Sequence, residues 1–426
     1  MLPRRRPRGS LHDGISLNFA TGRYYTKAQG GPANIQPLTS LFTFTGGNQS
    51  MYMGPAGLLV ASATNTPRIE YDANGACLGL LMEAARTNVW LQSQTFDNGS
   101  WTKVRASVSA DTIAAPDGTT TADTLVEDGT AANSHLLRQD YASATSGTTY
   151  TISVFAKAKE RSQILILFGA DTAAFSGEGV LYTLSGSGTS ATSTGSPVAH
   201  GIQALSNGWY RCWVAATCAS TTNAVLRIQL CASSSSTYSG DGVSGLYLWG
   251  AQLEAGRFPS SYIPTTTGSV ARTADVCNRV LGPEFSATVG AVVVQGRASA
   301  GQDAASGQVV FDFNDATTNN RIVLLRVSAA DTARYNMITA AATQGPVDAS
   351  FANSTAYKAA LAWASNDLAM SFKGGAVGTD ALATIPAITR LDLGNATTGV
   401  QMNGHILRFD YWPERKANEF LVSAST

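Results

Sequence analysis

The sequence is short of charge. Its 426 residues carry 29 basic and 29 acidic side chains, a formal net charge of zero and 14% charged residues, against roughly 25% in an average globular domain. A neutral chain lacks the positive surface that counterion release from nucleic acid requires, so no nucleic-acid partner is expected. Long apolar runs are missing too. Nothing approaches the ~20 apolar residues of a membrane-spanning helix, and no membrane insertion is expected. The start, Met1-Leu2-Pro3-Arg4-Arg5-Arg6-Pro7-Arg8, is basic, but the polar stretch from Gly9 to Asn18 supplies no signal-peptide apolar segment. Arg4, Arg5, Arg6 and Arg8, beside two prolines, read as a flexible arm or as a tether for an acidic groove on another protein.

Cysteine is sparse: Cys77, Cys212, Cys218, Cys231 and Cys277 form an odd set without a C-x-x-C pair. Cys212 and Cys218, six residues apart along one expected strand, would lie roughly 20 Å apart, beyond disulfide reach. Reduced, core-filling thiols follow, as in a protein that folds in a cytoplasm. The four histidines (His12, His135, His200, His405) show no ligand spacing with these cysteines, so no zinc is expected. No phosphate-binding Gly-x-x-x-x-Gly-Lys-Ser/Thr loop occurs, and no cofactor is expected. Gly and Pro, 41 and 14 residues, make up about 13%, below the ~25–30% of low-complexity chains, so the chain folds.

What is present is alternation. In Thr149 to Lys157, Tyr150, Ile152, Val154 and Ala156 share one face, with Phe155 among the polar residues of the other. Arg161 to Phe168 is a short apolar run. Trp209 to Val214, Ala224 to Cys231 and Leu246 to Leu253 repeat the period of two. Turn chemistry separates these runs at Ala115-Pro116-Asp117-Gly118 and Ser206-Asn207-Gly208, and Ser185 to Ser196 reads as an exposed loop. Residues 90–265 suit one sandwich or jelly roll. After a connector, further strands are expected at Thr288–Gly296, Gln308–Phe313, Arg321–Val327, Tyr335–Thr339, Ala356–Trp363, Leu368–Phe372, Arg390–Leu393 and His405–Tyr411. Tight turns with glycine at positive φ are expected at Phe372-Lys373-Gly374-Gly375 and Met402-Asn403-Gly404-His405. A short helix over Glu414–Ser423 would pack Phe420, Leu421 and Val422 onto a sheet. Residues 10–88 are too polar to bury a large core alone. They either complete the neighbouring sandwich or wrap around identical chains.

A set of ordered blocks carries a resemblance. Pro67-Arg68-Ile69-Glu70-Tyr71-Asp72 is followed by Gly79 to Asn88, then Phe96 to Lys103 and Ala115 to Asp123. Gly208-Trp209-Tyr210-Arg211, Leu248 to Glu254 and Phe258-Pro259-Ser260-Ser261-Tyr262-Ile263-Pro264-Thr265 complete the series. The series resembles tailed-bacteriophage fibre, spike or tail virion proteins with a jelly roll like a carbohydrate-binding module. Leu391-Asp392-Leu393-Gly394, Asn403 to Phe409 and Tyr411-Trp412-Pro413 resemble a concanavalin A-like (laminin-G-like) domain. The resemblance implies an all-β chain of two β-sandwich (jelly-roll) domains in tandem after an extended N-terminal arm. The expected division is 1–64 arm, 65–275 jelly roll and 280–426 concanavalin A-like sandwich. It also implies a homotrimer on a virion made in the host cytoplasm, with the arm bound to other virion proteins.

Function is then expected to be recognition of a host-surface glycan, without catalysis. A glycosidase needs two carboxylates about 5–10 Å apart across a sugar site. Asp97, Asp117, Asp123 and Glu127 sit in turns or blocks that backbone capping explains more simply. Gly186-Ser187-Gly188 is a coincidence of low-complexity sequence rather than a nucleophile elbow. Aromatic rings are natural sugar platforms. Trp209, Trp213 and Trp249 alternate within strands and read as core, whereas Trp101, Tyr238, Tyr262, Trp363 and Trp412 are the candidate ligand contacts. Asp312-Phe313-Asn314-Asp315 reads as an Asp/Asn turn in preference to a calcium loop. A purely architectural capsid-decoration or head-fibre protein is the alternative, and a glycan-cleaving tailspike a lesser one.

Overall fold

In the computed structural model, which describes residues 11–298, 307–327, 332–351, 356–381, 383–397 and 399–426, the alternating runs pair as antiparallel strands. The chain is all-β, 52% strand and 4% helix. Arg4, Arg5, Arg6 and Arg8 lie outside the described residues. One lobe is a jelly roll of two six-stranded sheets. Its first sheet is built on Leu226–Cys231 and Gln163–Phe168, its second on Gly245–Ala255, Thr149–Ala158 and Trp209–Thr217. Ile152, Val154, Ile164, Ile166, Val214, Ile228 and Leu248 fill the space between them. Cys212 and Cys218 are buried in or beside that core, and all five thiols are unpaired.

The second lobe is a larger sandwich, and its strands come from both ends of the chain. One sheet runs through Gly404–Trp412, Gly290–Ala298, Ala356–Ala364 and Asp367–Phe372. The facing sheet runs through Arg321–Val327, Gln308–Asn314 and Arg390–Leu393. Gly14–Asn18 joins the first of these sheets, with Ile15 opposite Tyr411 and Asn18 opposite Arg408. Cys77–Met82 continues along the same edge, Met82 opposite Gly404. Thr43–Thr45 extends the facing sheet beside Val276–Val280. Ile15, Leu17, Phe44, Leu80 and Met82 therefore share one core with Val292, Phe311, Leu391 and Phe409.

This pairing replaces the serial division at residues 64 and 275 with a nested one. The described residues from Leu11 to Glu83, apart from a hairpin, and those from Asp275 onward form a single sandwich, and the jelly roll is inserted between them. The segment expected to be an arm could not stay apart, because its alternating apolar residues complete a sheet that would otherwise end at an open edge. The chain leaves and re-enters the sandwich side by side, where Arg86–Asn88 pairs with Val270–Arg272. A hairpin, Met51–Met53 with Leu59–Ala61, lies against the jelly roll instead. Its Met51, Met53 and Leu59 cover Phe155, Trp209, Trp249 and Tyr262. That cover explains why Phe155 stands on the polar face of its strand: both faces are enclosed.

The C-terminal helix spans Asn418–Ser425. Leu421 is buried against Ala291, Val293, Ala360, Ala362 and Ala369, small side chains that let a helix approach a sheet face. At Phe372 to Gly375 the turn has Lys373 and Gly374 at positive φ, but at Met402 to His405 Asn403 takes that conformation and Gly404 opens the strand. Gly79 is demanding in a different way. Its φ is +117°, and a Cβ there would sit 2.2 Å from the Ile406 carbonyl oxygen. Gly79→Ala should therefore lower stability by more than the ~1–3 kcal/mol of backbone strain alone, which chemical denaturation would measure.

Candidate functional site

The five aromatic candidates do not form a sugar platform. Trp101 is 1% exposed, packed edge-on to Trp90 at 5.1 Å, and its Nε1 donates to the Gln92 carbonyl at 3.0 Å. Tyr262 is equally buried, its hydroxyl 2.7 Å from Ser93 Oγ and its ring against Phe155 and Trp249. Trp363 is fully buried beside Phe313 and Tyr411. Tyr238 and Trp412 are half-buried, but their rings are already engaged. The Tyr238 hydroxyl donates to Glu127 Oε2 at 2.6 Å, and Arg161 and His135 lie against its ring. His12 stacks on Trp412 at 4.4 Å, and Phe420 meets it edge-on. These positions look peripheral along the chain, but the core, the second lobe or residues distant in sequence cover them.

The carboxylates are likewise occupied. Asp123 accepts from the Phe96 and Asp111 amides, Asp117 caps Thr119, and Glu127 pairs with Arg161. Asp315 caps Thr317, and Asn314 donates to Asp392. Among the described residues no group of three or more His, Cys, Asp or Glu is placed to hold a metal ion. No helix among them is long and apolar enough to cross a membrane.

The sequence blocks instead converge on a buried ionic clasp where the chain passes between the lobes. Arg68 is 1% exposed and donates from Nη1 to Glu83 Oε2 at 2.7 Å and Ser261 Oγ at 2.8 Å, and from Nη2 to Asp275. Glu83 also accepts from the Ser261 amide at 2.9 Å and its hydroxyl at 2.7 Å. Asp275 accepts from the Glu83 amide at 2.8 Å. Arg272, fully buried, lies 3.7 Å from Glu83 and 3.9 Å from Asp275. Beside it, Glu254 takes the Ser260 amide and hydroxyl, while Asn88 bridges the Ala251 and Ile263 carbonyls and the Leu253 amide. Two carboxylates and two guanidiniums thus tie the exit strand, the re-entry strand and the Arg68 segment together.

Above the clasp the lobes leave a cleft of about 360 Å³, within the ~300–1,000 Å³ of small-ligand sites. Strand register sets its walls. Gln203 lies opposite Arg211 and Arg211 opposite Phe155, a row on the jelly-roll face that points away from its core. On the other wall Arg297 lies opposite His405. His405 Nε2 is 2.6 Å from Glu70 Oε2, Glu70 Oε1 accepts the Met53 amide, and the Tyr71 ring is half-buried at the rim. Arg211 donates from Nη2 to Ser153 Oγ at 3.1 Å and lies over the Phe155 ring at 5.3 Å, while its Nε is buried without a partner. Burial pushes its guanidinium down from the ordinary value, though arginine keeps its charge. Neither Arg211 nor Arg297 makes an ion pair among the described residues. Sequence reading missed these residues. The available signal was Arg211 between Trp209 and Trp213, a charge on a strand face that already carried large rings.

No family model matches the chain, and no curated protein matches it in sequence. Among solved structures it is similar to the CBM40 of the Ruminococcus gnavus IT-sialidase in two structures, one of them bound to α2,3-sialyllactose. Both matches have 13% identity, 33% of this chain covered, 84% and 83% of those chains covered, and a TM-score of 0.28. It is also similar to domains LG4-5 of the mouse laminin α1 chain, at 10% identity, over 67% of this chain and 86% of that one, with a TM-score of 0.22. At such values the likeness carries nothing about ligand or role.

The clasp makes two linked demands on stability. Arg68→Met leaves Glu83 and Asp275 short of a buried counter-charge and should cost about 3–5 kcal/mol in denaturant unfolding. Burial raises the Glu83 carboxyl, but Arg272, Arg68 and Ser261 override it and hold it well below the usual carboxylate range. The unfolded chain therefore binds this proton more readily, so the contribution of Glu83 is full above about pH 4.5 and is lost as pH falls further. The Tm of Glu83→Gln should be lower than wild type at pH 7 and fall less steeply on acidification.

Proposed function

We propose that the protein is a structural component of a tailed-phage particle, a fibre, spike or tail element, that recognises a host-surface glycan without cleaving it. The observation that carries the binding half is the cleft. It is concave, walled by both lobes and lined with hydrogen-bonding side chains and one accessible ring, the lining that polyhydroxylated ligands require. The particle half rests on the ordered blocks from Pro67 to Thr265. In this reading the residues preceding the sandwich, with Arg4, Arg5, Arg6 and Arg8, attach the chain to other virion proteins. Three copies assemble, and weak single sites gain avidity from being held together.

An architectural decoration protein is the competing reading, and the clasp favours it to this extent: the blocks that carry the resemblance serve to join two lobes. A glycan array probed with the purified full chain separates the two. Retention of defined glycans supports recognition. Retention of none, together with normal adsorption of particles lacking the protein, overturns it in favour of architecture. The attachment half has its own test. Removing residues 1–9 should leave the thermal transition unchanged but abolish incorporation, read by immunoblot of purified particles; normal incorporation would remove the tether.

A further inference from the structure

Two arginines in the interlobe cleft have no carboxylate within ion-pair distance among the described residues. Many of the other buried or half-buried guanidiniums do: Arg68 and Arg272 in the clasp, Arg161 on Glu127, Arg279 on Glu284 and Arg321 on Asp312. Arg211 stands on an enclosed sheet face with one hydroxyl and one ring in direct contact and a buried, unpartnered Nε, while Glu254, Glu83 and Glu70 act on it only from beyond ion-pair distance. Desolvating a cation without a counter-charge in contact is costly, so the arrangement fits a site completed from outside. On the facing wall Arg297 is exposed and free of hydrogen bonds among the described residues. Its register partner His405 holds Glu70, which also accepts the Met53 amide. Glu83, on the floor, belongs to the clasp. Arg211 and Arg297 thus line the cleft with no carboxylate in direct contact with either among the described residues.

We propose that the interlobe cleft binds an acidic sugar residue, its carboxylate received by Arg211 and Arg297 and its hydroxyls by Glu70, His405 and Gln203. The assignment rests on the glycan-binding reading of the same cleft and names the class of sugar. A planar guanidinium fork matches a carboxylate in two parallel hydrogen bonds, which a neutral hexose cannot supply. Tyr71 at the rim offers the pyranose a ring to lie against. Because the arginines come from different lobes, the site exists only while the clasp holds the lobes in register.

The test is calorimetric titration of the intact chain with two matched pairs, tri-galacturonate against galactotriose and 3′-sialyllactose against lactose. The first pair probes a uronic acid, the second a nonulosonic acid. At least one acidic probe should bind at least tenfold more tightly than its neutral partner. Arg297→Gln, at an exposed position, should erase that preference with Tm unchanged; Arg211→Met, which keeps the side-chain stem over Phe155, should erase it as well. Equal binding of acidic and neutral probes would overturn the acidic-sugar assignment while leaving glycan recognition standing. An acidic preference that survives both substitutions would place the site elsewhere and overturn it too. Should no probe bind and the glycan array also be blank, the glycan reading itself falls.

Discussion

The architecture depends on a few buried charges between Arg68, Glu83, Arg272 and Asp275. Taken one at a time, such contacts add little net stability, because removing ions from water offsets most of their attraction. Their value lies in position. Glu83 stands where the chain leaves the sandwich and Asp275 where it returns, and Arg68 touches both. Ser261, at the end of the jelly roll, donates into the same carboxylate. An apolar contact at this point would tolerate sliding and rotation. The directional hydrogen bonds from Arg68 to both carboxylates, and from Arg272 to the Ala84 and Thr273 carbonyls, do not, so the lobes acquire a defined register and the cleft a defined width.

Nesting one sandwich inside another follows from ordinary sheet physics. The strand Gly404–Trp412 has a free edge until Gly14–Asn18 and Cys77–Met82 pair with it, and the apolar alternation of those early segments supplies the missing core. The jelly roll is closed by its own two sheets and needs nothing from the sandwich core. It can be inserted at a single point because its first and last segments, Arg86–Asn88 and Val270–Arg272, run side by side. What it does need is cover for the row of Phe155, Trp209 and Trp249, which the hairpin at Met51–Ala61 provides.

Local order was readable in the sequence. Arg321–Val327 and Arg390–Leu393 coincide with their expected spans, and most other strands differ only at their ends. Pairing was not, because a period of two reports which residues share a face and says nothing about what lies opposite. Gly14–Asn18 meets a strand nearly four hundred residues away, beyond any local signal. The same limit explains the site. Trp101, Tyr262 and Trp363 are near turns or strand ends in sequence, yet they are enclosed in space. Arg297 lies in no motif and Arg211 only closes one of the ordered blocks, so the two come together solely through the juxtaposition of the lobes. Phe155, a large ring on a face otherwise polar, and Arg211 between Trp209 and Trp213 were the visible hints.

The adjacency of Ile15 and Tyr411 has a mechanical consequence. Once the C-terminal helix has been peeled from the sheet, tension applied through the residues before Gly14 and those after Trp412 meets at one strand pair in the outer sandwich. The inserted lobe sits outside that line of force, so pulling would unzip the Gly14–Asn18 ladder rung by rung before it deformed the jelly roll.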